Sequence, residues 1–382
     1  MMKNQKNRSE NSNMNDKHSP EEKLKVLRAR IDNLDESILV QLNERAQYAL
    51  EVARVKQIDS PDDKPVFYRP DRESQILQHM IDLNQGPLSN QKIAQVYRQI
   101  MSACLALEQP LEVAYLGPEG TFTQLAARKH FGDSVICQPM TTHDDVFREV
   151  ESEACNYGVV PVENSTEGVI SSTLDNFLES SLKICGEVHL QIHHYLMTGS
   201  DIADHEIDCI YSHQQTLAQC RRWLDAHYPH ASKVPVTSNG EAARRISGEQ
   251  NAAAIAPQIC AEIYNLRVIS GKIEDRSDNT TRFLVIGRDD VIKSGNDKTS
   301  VLVSTYNRPG ALYKLLEPFE RHGVSLTSIE TRPSRTGKWS YVFFIDFEGH
   351  RDDPLIIQVM NAIDKEALEV KILGSYPRAV VN

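Results

Sequence analysis

The sequence predicts a multidomain protein in which an all-α segment is followed by an α/β segment and then by an α+β segment of the ferredoxin-like type. Up to Glu108, apolar residues repeat every three or four positions and no strand pattern occurs. After Pro110, short apolar runs alternate with amphipathic stretches, which is typical of an α/β domain with a mainly parallel sheet. From residue 298 onward the patterns follow the order βαββαβ. The predicted domains span 20–109, 110–288 and 298–382, with a polar linker over 289–297.

Composition and charge exclude several classes of function. A formal net charge of -11 argues against nucleic acid or an anionic membrane as the main partner. The seven cysteines are odd in number and form no CxxC pair, which is typical of reduced thiols in a cytoplasmic protein and not of a zinc site. No segment approaches ~20 continuous apolar residues, so no membrane span is expected. Residues 1–19 lack an apolar core and are predicted to be a disordered cytoplasmic leader.

The all-α segment begins with an unusually long helix. Ser19 is suited to cap it, Pro20 to occupy its first turn, and the glutamate three positions after Ser19 to complete a capping box. The apolar stripe then continues without Gly or Pro until Pro61. A single helix is therefore predicted, far longer than the usual three turns or so. Two further helices are predicted over 70–84 and 90–108.

Two cations interrupt the apolar stripe of this helix. Arg45 and Lys56 are eleven residues apart, which places them on nearly the same face and about 16 Å apart along the axis. Burying such charges is costly unless anions meet them there. For one isolated cation, the simpler interpretation is a long side chain that reaches solvent. Two cations in register, followed along the chain by Arg72, Glu73 and Glu108, favour a binding site for an anionic molecule instead.

This segment resembles the all-helical chorismate mutase family over roughly residues 20 to 108. The resemblance rests on Arg28, Arg45, Lys56, the Arg72-Glu73 pair and the stretch SACLALE at 102–108. It implies rearrangement of chorismate to prephenate, a pericyclic reaction that needs neither a cofactor nor a metal. Such a reaction needs a compact conformer of the dianion and cations near the ether oxygen, where negative charge grows.

The resemblance also implies a role for each of these residues. Arg28 and Arg45 would bind the two substrate carboxylates. Lys56 would donate to the ether oxygen and to one carboxylate, and Glu73 would accept a hydrogen bond from the ring hydroxyl. The other implied substrate contacts are Arg72, Cys104 and Glu108.

Arg28 raises a question of reach. It lies some 25 Å along the helix from Arg45, too far for both to bind one small molecule from a straight helix. In the family an intertwined dimer brings the first arginine into the partner's site. A homodimer or a higher homo-oligomer is therefore predicted.

Two positions depart from the family pattern. Some relatives carry glutamine where Glu108 stands, and glutamine donates to the ether oxygen at any pH, whereas a glutamate donates only when it is protonated. Mutase activity is therefore expected to fall as the pH rises. Before the arginine-glutamate pair, Tyr68 and Arg69 stand where some relatives place an aspartate, so neither is assigned a substrate contact.

The α/β segment carries polar residues at the end of a predicted strand. In VVPVENSTEG, at 159–168, an apolar run ends at Glu163, Asn164, Ser165 and Thr166 with no cation beside them. Ligands of open sheets bind at the carboxyl ends of strands, so this stretch is a candidate site. Taken singly, each of these residues is more simply explained as a helix cap or a strand-end hydrogen bond.

From about 111 to 288 the chain resembles the prephenate dehydratase family. The resemblance rests on four motifs in order, YLGPEGTFTQLAA, VVPVENSTEG, YSHQQTLAQC and NTTRFLVIG. It implies a two-lobed fold like that of periplasmic binding proteins, with the active site in the cleft between the lobes. Prephenate would lose its ring hydroxyl and ring carboxylate there, with help from a general acid and no cofactor, to give phenylpyruvate, CO2 and water.

The dehydratase resemblance places five polar residues in that cleft, namely Glu163, Asn164, Ser165, Gln219 and Thr281. Thr281 would bond to the leaving hydroxyl, with Asn164, Ser165 and Gln219 as positioning donors. Glu163 would either supply the proton or hold the network. Because side chains alternate along a strand, Arg282 is expected on the face opposite Thr281.

Other polar residues of this segment have two interpretations. Thr121 and Thr123 follow GPEG, where a helix N-terminus favours an anion, and the same residue types serve as caps. His189, His193 and His194 suggest a metal only superficially, because neighbours on a strand point to opposite faces. No metal site is predicted.

The α+β segment resembles the ACT family. RPGALYKLL at 308 and ETRPS at 330 match the form that senses phenylalanine, and Gly310 permits backbone N–H groups to approach an amino-acid carboxylate. L-Phenylalanine would then be an allosteric inhibitor of the dehydratase. The alternative is a plain dimerisation domain. The implied ligand contacts are Gly310, Ala311, Leu312, Glu330, Thr331, Arg332 and Pro333.

Two hypotheses for the whole chain follow from these resemblances. The first is an enzyme that converts chorismate through prephenate to phenylpyruvate, with feedback inhibition by L-phenylalanine. The second is an amino-acid sensor whose catalytic domains are relics. A sensor has no use for Arg28, Arg45, Lys56 and Glu108. Formation of phenylpyruvate from chorismate distinguishes the two.

Overall fold

A computed structural model describes residues 19–59, 68–199, 206–305, 308–333 and 341–379. The predicted leader, apart from Ser19, lies outside the described residues. The chain divides into two bodies after Pro65. In the part of the chain that the structure describes, no helix is both long and apolar enough to cross a membrane.

The first body is a single helix, α1 (Pro20–Asp59), of 40 residues, which confirms the long helix predicted from the apolar stripe. Its capping box is present, because the Ser19 side chain accepts a hydrogen bond from the Glu22 N–H at 3.3 Å and the Glu22 carboxylate accepts one from the Ser19 N–H at 3.0 Å. The stripe itself is uncovered. Side chains of the stripe that are at least 50% exposed are Leu24, Leu27, Ile31, Leu34, Ile38 and Val52.

The second body begins with two helices that pack against each other, α2 (Pro70–Leu83) and α3 (Asn90–Glu108). Proline at the first position of α2 and the Ser89 side chain, which caps α3, explain where they begin. Helix α3 also lies against the α/β segment, where Ser102 accepts a hydrogen bond from the Ser134 N–H at 3.2 Å.

The α/β segment contains eleven described strands and seven described helices. The strands are β1 (Glu112–Leu116), β2 (Ile136–Met140), β3 (Tyr157–Asn164), β4 (Gly168–Val169), β5 (Lys183–Gln191), β6 (Tyr195–Thr198), β7 (Cys209–His213), β8 (Ser232–Val236), β9 (Ala252–Ala256), β10 (Arg267–Gly271) and β11 (Thr280–Gly287). The helices are α4 (Phe122–Phe131), α5 (His143–Glu151), α6 (Ser171–Glu179), α7 (Gln214–Gln219), α8 (Arg221–His227), α9 (Asn239–Ile246) and α10 (Ile259–Ile263).

These strands form two sheets, one in each of two lobes. The first has the order β2-β1-β3-β11-β5 with β4 beside β3, and the second has the order β10-β6-β9-β7-β8. The prediction of a mainly parallel sheet is wrong, because both sheets are mixed. Strand β1 runs parallel to β2 and β3, but β11 is antiparallel to both β3 and β5. The chain builds the second lobe before it returns as β11, so β11 enters the first sheet without the helical crossover that makes neighbours parallel.

The C-terminal segment has the predicted order βαββαβ. Its elements are β12 (Asp297–Thr305), α11 (Ala311–Arg321), β13 (Leu326–Pro333), β14 (Tyr341–Glu348), α12 (Pro354–Glu366) and β15 (Glu369–Pro377). The antiparallel sheet has the order β13-β14-β12-β15. One face packs on α11 and α12 around Phe319 and Phe347. On the other face, Leu302 and Phe344 share a core with Phe177 of the first lobe, so this domain is docked on that lobe.

A buried ion cluster lies where the two domains meet. The Glu187 carboxylate is 3.0 Å from Arg282 Nε and 2.8 Å from Lys298 Nζ, and Arg282 Nη1 is 2.6 Å from Asp346. Burial by itself raises the pKa of Glu187, but hydrogen bonding to His189 and the charges of Arg282 and Lys298 hold that pKa well below its ordinary value. The carboxylate therefore remains ionised in the folded protein.

Replacing Glu187 by glutamine is expected to lower the free energy of unfolding by about 3 kcal/mol at neutral pH, because two buried cations lose their counter-charge. A depressed folded-state pKa contributes stability above the pKa of an unfolded glutamate, and this stability is lost as the pH falls. Urea unfolding at about pH 7 and about pH 3 should thus show a smaller difference between the variant and the wild type at the lower pH. The control is Glu262→Gln, at an exposed carboxylate. Equal losses in the two variants would contradict the assignment.

Candidate active sites

The two lobes enclose a cleft of about 480 Å³. The first lobe contributes the ends of β3 and β11, with Asn164 and Thr281. The second lobe contributes the end of β7 and the first residues of α9, and it also contributes Gln219 of α7. Polar strand ends from both sheets thus face one shared cleft, which is where ligands of such sheets bind.

Asn164 and Thr281 form the centre of this cleft. The two residues are opposite each other on β3 and β11, and Asn164 Nδ2 donates to Thr281 Oγ1 at 2.7 Å. The Asn164 carbonyl oxygen accepts from the backbone N–H groups of Thr166 and Glu167, which fixes the orientation of the amide. Because Thr281 Oγ1 accepts the amide hydrogen bond, the hydroxyl hydrogen is the group it offers to a ligand.

Three further residues join this network, and the sequence analysis did not select them. Asn279, which is buried, accepts from Asn164 Nδ2 at 3.0 Å and lies 3.4 Å from Gln219. His194 Nε2 is 2.9 Å from Gln219 Oε1, and Glu167 is 3.4 Å from Gln219 Nε2. The sequence could have identified Asn279, because it is the first residue of the NTTRF motif. No local sequence pattern relates His194 to the cleft.

The Ser165 side chain joins the two strand ends from outside the cleft lining. Its Oγ accepts a hydrogen bond from the Thr280 N–H at 2.9 Å and lies 3.4 Å from Asn279 Oδ1. The bond to the backbone holds the loop after β3 against the start of β11. Ser165 therefore positions Asn164 and Thr281 relative to each other.

The described residues that line the cleft include no lysine or arginine. The titratable side chains among them are Glu167, His194 and His213. Burial lowers the pKa of His194, so this imidazole is held in its neutral form. The absence of cations noted in VVPVENSTEG therefore extends to the whole described lining.

Glu163 does not lie in this cleft, contrary to the assignment made from the dehydratase resemblance. The pairing of β3 with β11 shifts at a bulge between Pro161 and Glu163, so Pro161 and Asn164 face the cleft. Val162 and Glu163 face a smaller cavity at the boundary with the C-terminal domain. The extra residue of the bulge reverses the alternation, which removes Glu163 as a direct proton donor in the cleft.

Thr121 and the three histidines bind other groups of the protein. Thr121 Oγ1 donates to the Leu116 carbonyl at 3.0 Å, so the hydroxyl does not cap α4. His193 Nδ1 lies 2.7 Å from Glu274. His189 Nε2 lies 3.6 Å from Glu187. His194 contacts Gln219, so each of the three histidine rings contacts a different residue of the protein.

The residues that the chorismate mutase resemblance selects are distributed over three helices. On α1, Arg28 is exposed whereas Arg45 and Lys56 are half-buried. On α2 and α3, Arg72 is exposed and Cys104 is buried. Of the other two, Glu73 on α2 and Glu108 on α3 are both half-buried.

Glu73 has a protein partner in this structure. Its carboxylate lies 3.3 Å from Arg98 Nε. Burial raises the pKa of Glu73 and Arg98 lowers it, with a net rise. Nearby, the Tyr68 hydroxyl is 2.9 Å from His130, and Arg69 forms a bidentate pair with Asp71. Tyr68 and Arg69 are thus held by the protein itself.

The C-terminal candidate residues lie in two places. Gly310 precedes α11 with φ of 79°, in the left-handed region that favours glycine. On β13, the Arg332 guanidinium holds Asp175 of α6 at 2.9 and 3.0 Å and donates to Ser171 at 2.8 Å. Glu330 lines the same cavity as Glu163, and burial followed by the charge of Glu163 raises its pKa. The end of β13, which carries Glu330 and Arg332, therefore contacts the lobe that carries Asn164.

Comparisons with known proteins agree with this three-part architecture. Family models match residues 27–109 as chorismate mutase type II, 113–291 as prephenate dehydratase and 299–365 as an ACT domain. A bifunctional chorismate mutase/prephenate dehydratase of Pseudomonas aeruginosa is 58% identical over 94% of this chain and 99% of its own length. The chain belongs to this bifunctional family. A relative of the same name from Neisseria gonorrhoeae is 46% identical over 93% of this chain and 97% of its own.

Solved structures support the fold of the dehydratase and ACT segments of this protein. A prephenate dehydratase from Arthrobacter aurescens in complex with L-Phe has a TM-score of 0.65 and 32% identity, and covers 70% of this chain and 90% of its own. A prephenate dehydratase from Staphylococcus aureus has a TM-score of 0.62 and 28% identity, over 70% of this chain and 100% of its own. In the bifunctional family member, α1 to α3 therefore form the mutase domain, the two lobes the dehydratase domain, and the C-terminal sheet and helices the ACT domain.

Proposed function

We propose that the protein converts chorismate to prephenate and prephenate to phenylpyruvate. The observation that carries the proposal is the cleft centred on Asn164 and Thr281, whose described lining contains no lysine or arginine. The same chain has helical cations that match those of the chorismate mutase family. The test is incubation of the purified protein with chorismate and, separately, with prephenate. Phenylpyruvate should form from both substrates. Its absence from both reactions would leave the sensor hypothesis.

The cleft suits the dehydratase reaction. Thr281 offers its hydroxyl hydrogen to the leaving ring hydroxyl, and Asn164 holds the Thr281 oxygen in place. Gln219 positions the substrate, and Ser165 positions the loop that follows β3. The ring carboxylate must leave as CO2, and a cation bound tightly to it would stabilise the charged ground state more than the transition state. Neutral donors orient this carboxylate without that penalty.

The mutase reaction is assigned to the cations of α1 and to residues of α2 and α3. We assign Arg45 and Lys56 to a substrate carboxylate and the ether oxygen, and Glu73 to the ring hydroxyl. Arg72, Cys104 and Glu108 supply further contacts. The half-buried Arg45 and Lys56 support a binding role for the helix face that carries them. The reaction then depends on fixed positive charge and on a compact substrate conformer.

Arg28 is assigned to the site of a second copy of the chain. Arg28 and Arg45 are about 25 Å apart along α1, and the apolar stripe of α1 is exposed along most of its length, from Leu24 to Ile38 and again at Val52. An uncovered stripe of this extent on a helix supports pairing with an identical helix. The molecular mass in solution tests the proposal, and a monomer would contradict it.

Glu108 provides a prediction for the mutase reaction. If its carboxylic acid donates to the ether oxygen, mutase turnover falls as the pH rises, because only the protonated form donates. In Glu108→Gln the amide donates at every pH, so the rate is expected to become nearly independent of pH over the same range. Initial rates of chorismate loss across pH for the two proteins provide the measurement. Identical pH profiles would remove Glu108 from this role.

L-Phenylalanine is proposed as the ligand of the ACT domain and as an inhibitor of the dehydratase. The dehydratase from Arthrobacter aurescens was solved in complex with L-Phe, and the two candidate motifs here begin α11 and form the end of β13. Arg332 links β13 to α6, so the motif is in contact with the lobe that carries the cleft. Inhibition requires that L-phenylalanine bind two states of the protein with different affinity.

Gly310→Ala tests this regulatory site. A side chain at φ of 79° strains the turn, so the N–H groups at the start of α11 shift, and the concentration of L-phenylalanine for half-inhibition should rise about tenfold. A matched control is Gly295→Ala, which has φ of 103° and, like Gly310, open space where a Cβ would lie. That variant should keep the wild-type response. A similar shift in both variants would indicate general strain and not a ligand site.

A further inference from the structure

The ion cluster at the boundary joins the dehydratase and ACT domains through side chains of five strands. Its members are Glu187 on β5, Arg282 on β11, Lys298 on β12, Asp346 on β14 and Tyr376 on β15. The first two belong to the dehydratase lobe and the other three to the ACT domain. No side chain of the four charged members is more than 13% exposed. The name boundary cluster is used for these five residues.

Arg282 is the centre of the boundary cluster because each edge of its guanidinium has a partner. Nε is 3.0 Å from Glu187, Nη1 is 2.6 Å from Asp346, and Nη2 donates to the Tyr376 hydroxyl at 3.1 Å. A planar guanidinium held on three edges is fixed in both position and orientation. Two of these three partners come from the ACT domain. The position of Arg282 therefore depends on where that domain lies.

Arg282 is also the chain neighbour of Thr281. Their side chains leave β11 on opposite faces, Thr281 into the cleft and Arg282 into the boundary cluster. Strand β11 lies between β3 and β5, so its backbone is hydrogen-bonded on both sides. A shift of β11 that accompanied movement of the Arg282 guanidinium would also move the Thr281 hydroxyl, which accepts a hydrogen bond from Asn164.

Holding the ACT domain on the dehydratase lobe does not require buried ion pairs. The same boundary already buries an apolar core that includes Leu302, Phe344 and Phe177. Buried ion pairs gain little stability over apolar residues of equal size, because the loss of hydration offsets their attraction. Their geometry, however, is far more specific than that of apolar packing. The boundary cluster thus has a specific geometry, which is not needed merely to hold two domains together.

We propose that Arg282 is a positioning residue through which the ACT domain sets the place of Thr281 in the dehydratase cleft. The proposal rests on the dehydratase function and on the role of Thr281 in it. A movement of β14 and β15 relative to the lobe would draw Arg282 with it and change the distance from Thr281 to Asn164. Displacements near 1 Å of a reacting group reduce rates by as much as about 10²-fold. The ACT domain therefore controls turnover more than substrate binding.

The test replaces Asp346 by asparagine. Asp346 belongs to the ACT domain and is not among the residues that line the cleft, yet it binds Arg282 directly. The expected result is a fall of about tenfold in kcat for prephenate with a KM within about twofold of the wild type. The control is Glu348→Gln. Glu348 lies on the same strand as Asp346, but its carboxylate binds Arg378 and does not belong to the boundary cluster. This control should keep the wild-type kcat.

A second variant separates positioning from stability. Arg282→Met should lower kcat at least as much as Asp346→Asn, and adding Asp346→Asn to Arg282→Met should change kcat little further, because both act through one side chain. Circular dichroism of each preparation, compared with the wild type, reports whether the dehydratase and ACT domains are folded. If Arg282→Met does not fold, the division between kcat and KM in Asp346→Asn decides alone.

The outcomes are distinct. A lower melting temperature with unchanged kcat in Asp346→Asn would mean that the boundary cluster only holds the domains together, and the proposal would be wrong. Equal losses in Asp346→Asn and Glu348→Gln would also overturn it. If the wild-type protein forms no phenylpyruvate from prephenate, the dehydratase function itself is wrong and the proposal fails with it. Wild-type activity with a selective loss of kcat in Asp346→Asn would support the proposal.

Discussion

Replacing Thr281 by alanine should lower turnover of prephenate by about 10² to 10³-fold and leave the conversion of chorismate to prephenate unchanged. The Thr281 hydroxyl is buried, accepts a hydrogen bond from Asn164 and has its own hydrogen to offer. Alanine removes the donor to the departing hydroxyl and leaves the Asn164 amide without this partner. Single-turnover and steady-state formation of phenylpyruvate from added prephenate measure the loss.

Three companion variants define what Thr281 contributes. Thr281→Ser keeps the hydroxyl and should retain much of the activity, whereas Thr281→Val keeps the shape and should be as inactive as alanine. The control for loss of a buried hydroxyl is Thr299→Val, because Thr299 donates to the Gly349 carbonyl in the ACT domain. An active Thr281→Val, or a parallel loss of mutase activity in a folded protein, would show that the assignment to the dehydratase reaction is wrong.

The bulge in β3 explains why the sequence placed some cleft residues correctly and Glu163 incorrectly. On β11 the ordinary alternation holds, so Thr281 faces the cleft and Arg282 faces away, as expected. On β3 an extra residue enters the ladder before Glu163 and reverses which face it occupies. Pro161, which has no N–H to give to a ladder, lies next to this bulge, but proline alone does not specify where a bulge falls.

The same contrast holds for the fold. Helix α1 and the order of elements in the ACT domain follow from local periodicity and turn residues, which the sequence displays directly. The place of β11 in the first sheet depends on a return from the second lobe, and no pattern within β11 records this. The partners of His194 and Arg332 are equally non-local, because Gln219 and Asp175 are brought to them only by the folding of the whole body.

Replacing Arg45 by alanine should lower mutase turnover by at least about 10²-fold and spare the conversion of added prephenate. The rearrangement has no covalent step to compensate for a missing cation, because its catalysis consists mainly of positive charge placed against a dianion. Arg45 lies on α1, outside the body that contains the dehydratase cleft, so the second reaction should proceed normally. Loss of chorismate, measured by its absorbance, and formation of phenylpyruvate from prephenate give the two rates.

The exposed position of Arg28 turns this prediction into a test of subunit arrangement. If each site takes Arg45 from one chain and Arg28 from its partner, then Arg28→Ala and Arg45→Ala are both inactive as homodimers. A heterodimer of the two variants contains one site with both arginines and one site with neither. Random pairing in equal amounts makes half of the dimers mixed, each with one active site of two, so about a quarter of the wild-type mutase activity should return. Co-expression with two different tags isolates the mixed dimers, which should have about half the wild-type activity. If these dimers stay inactive, Arg28 and Arg45 serve the same chain and the shared site is wrong.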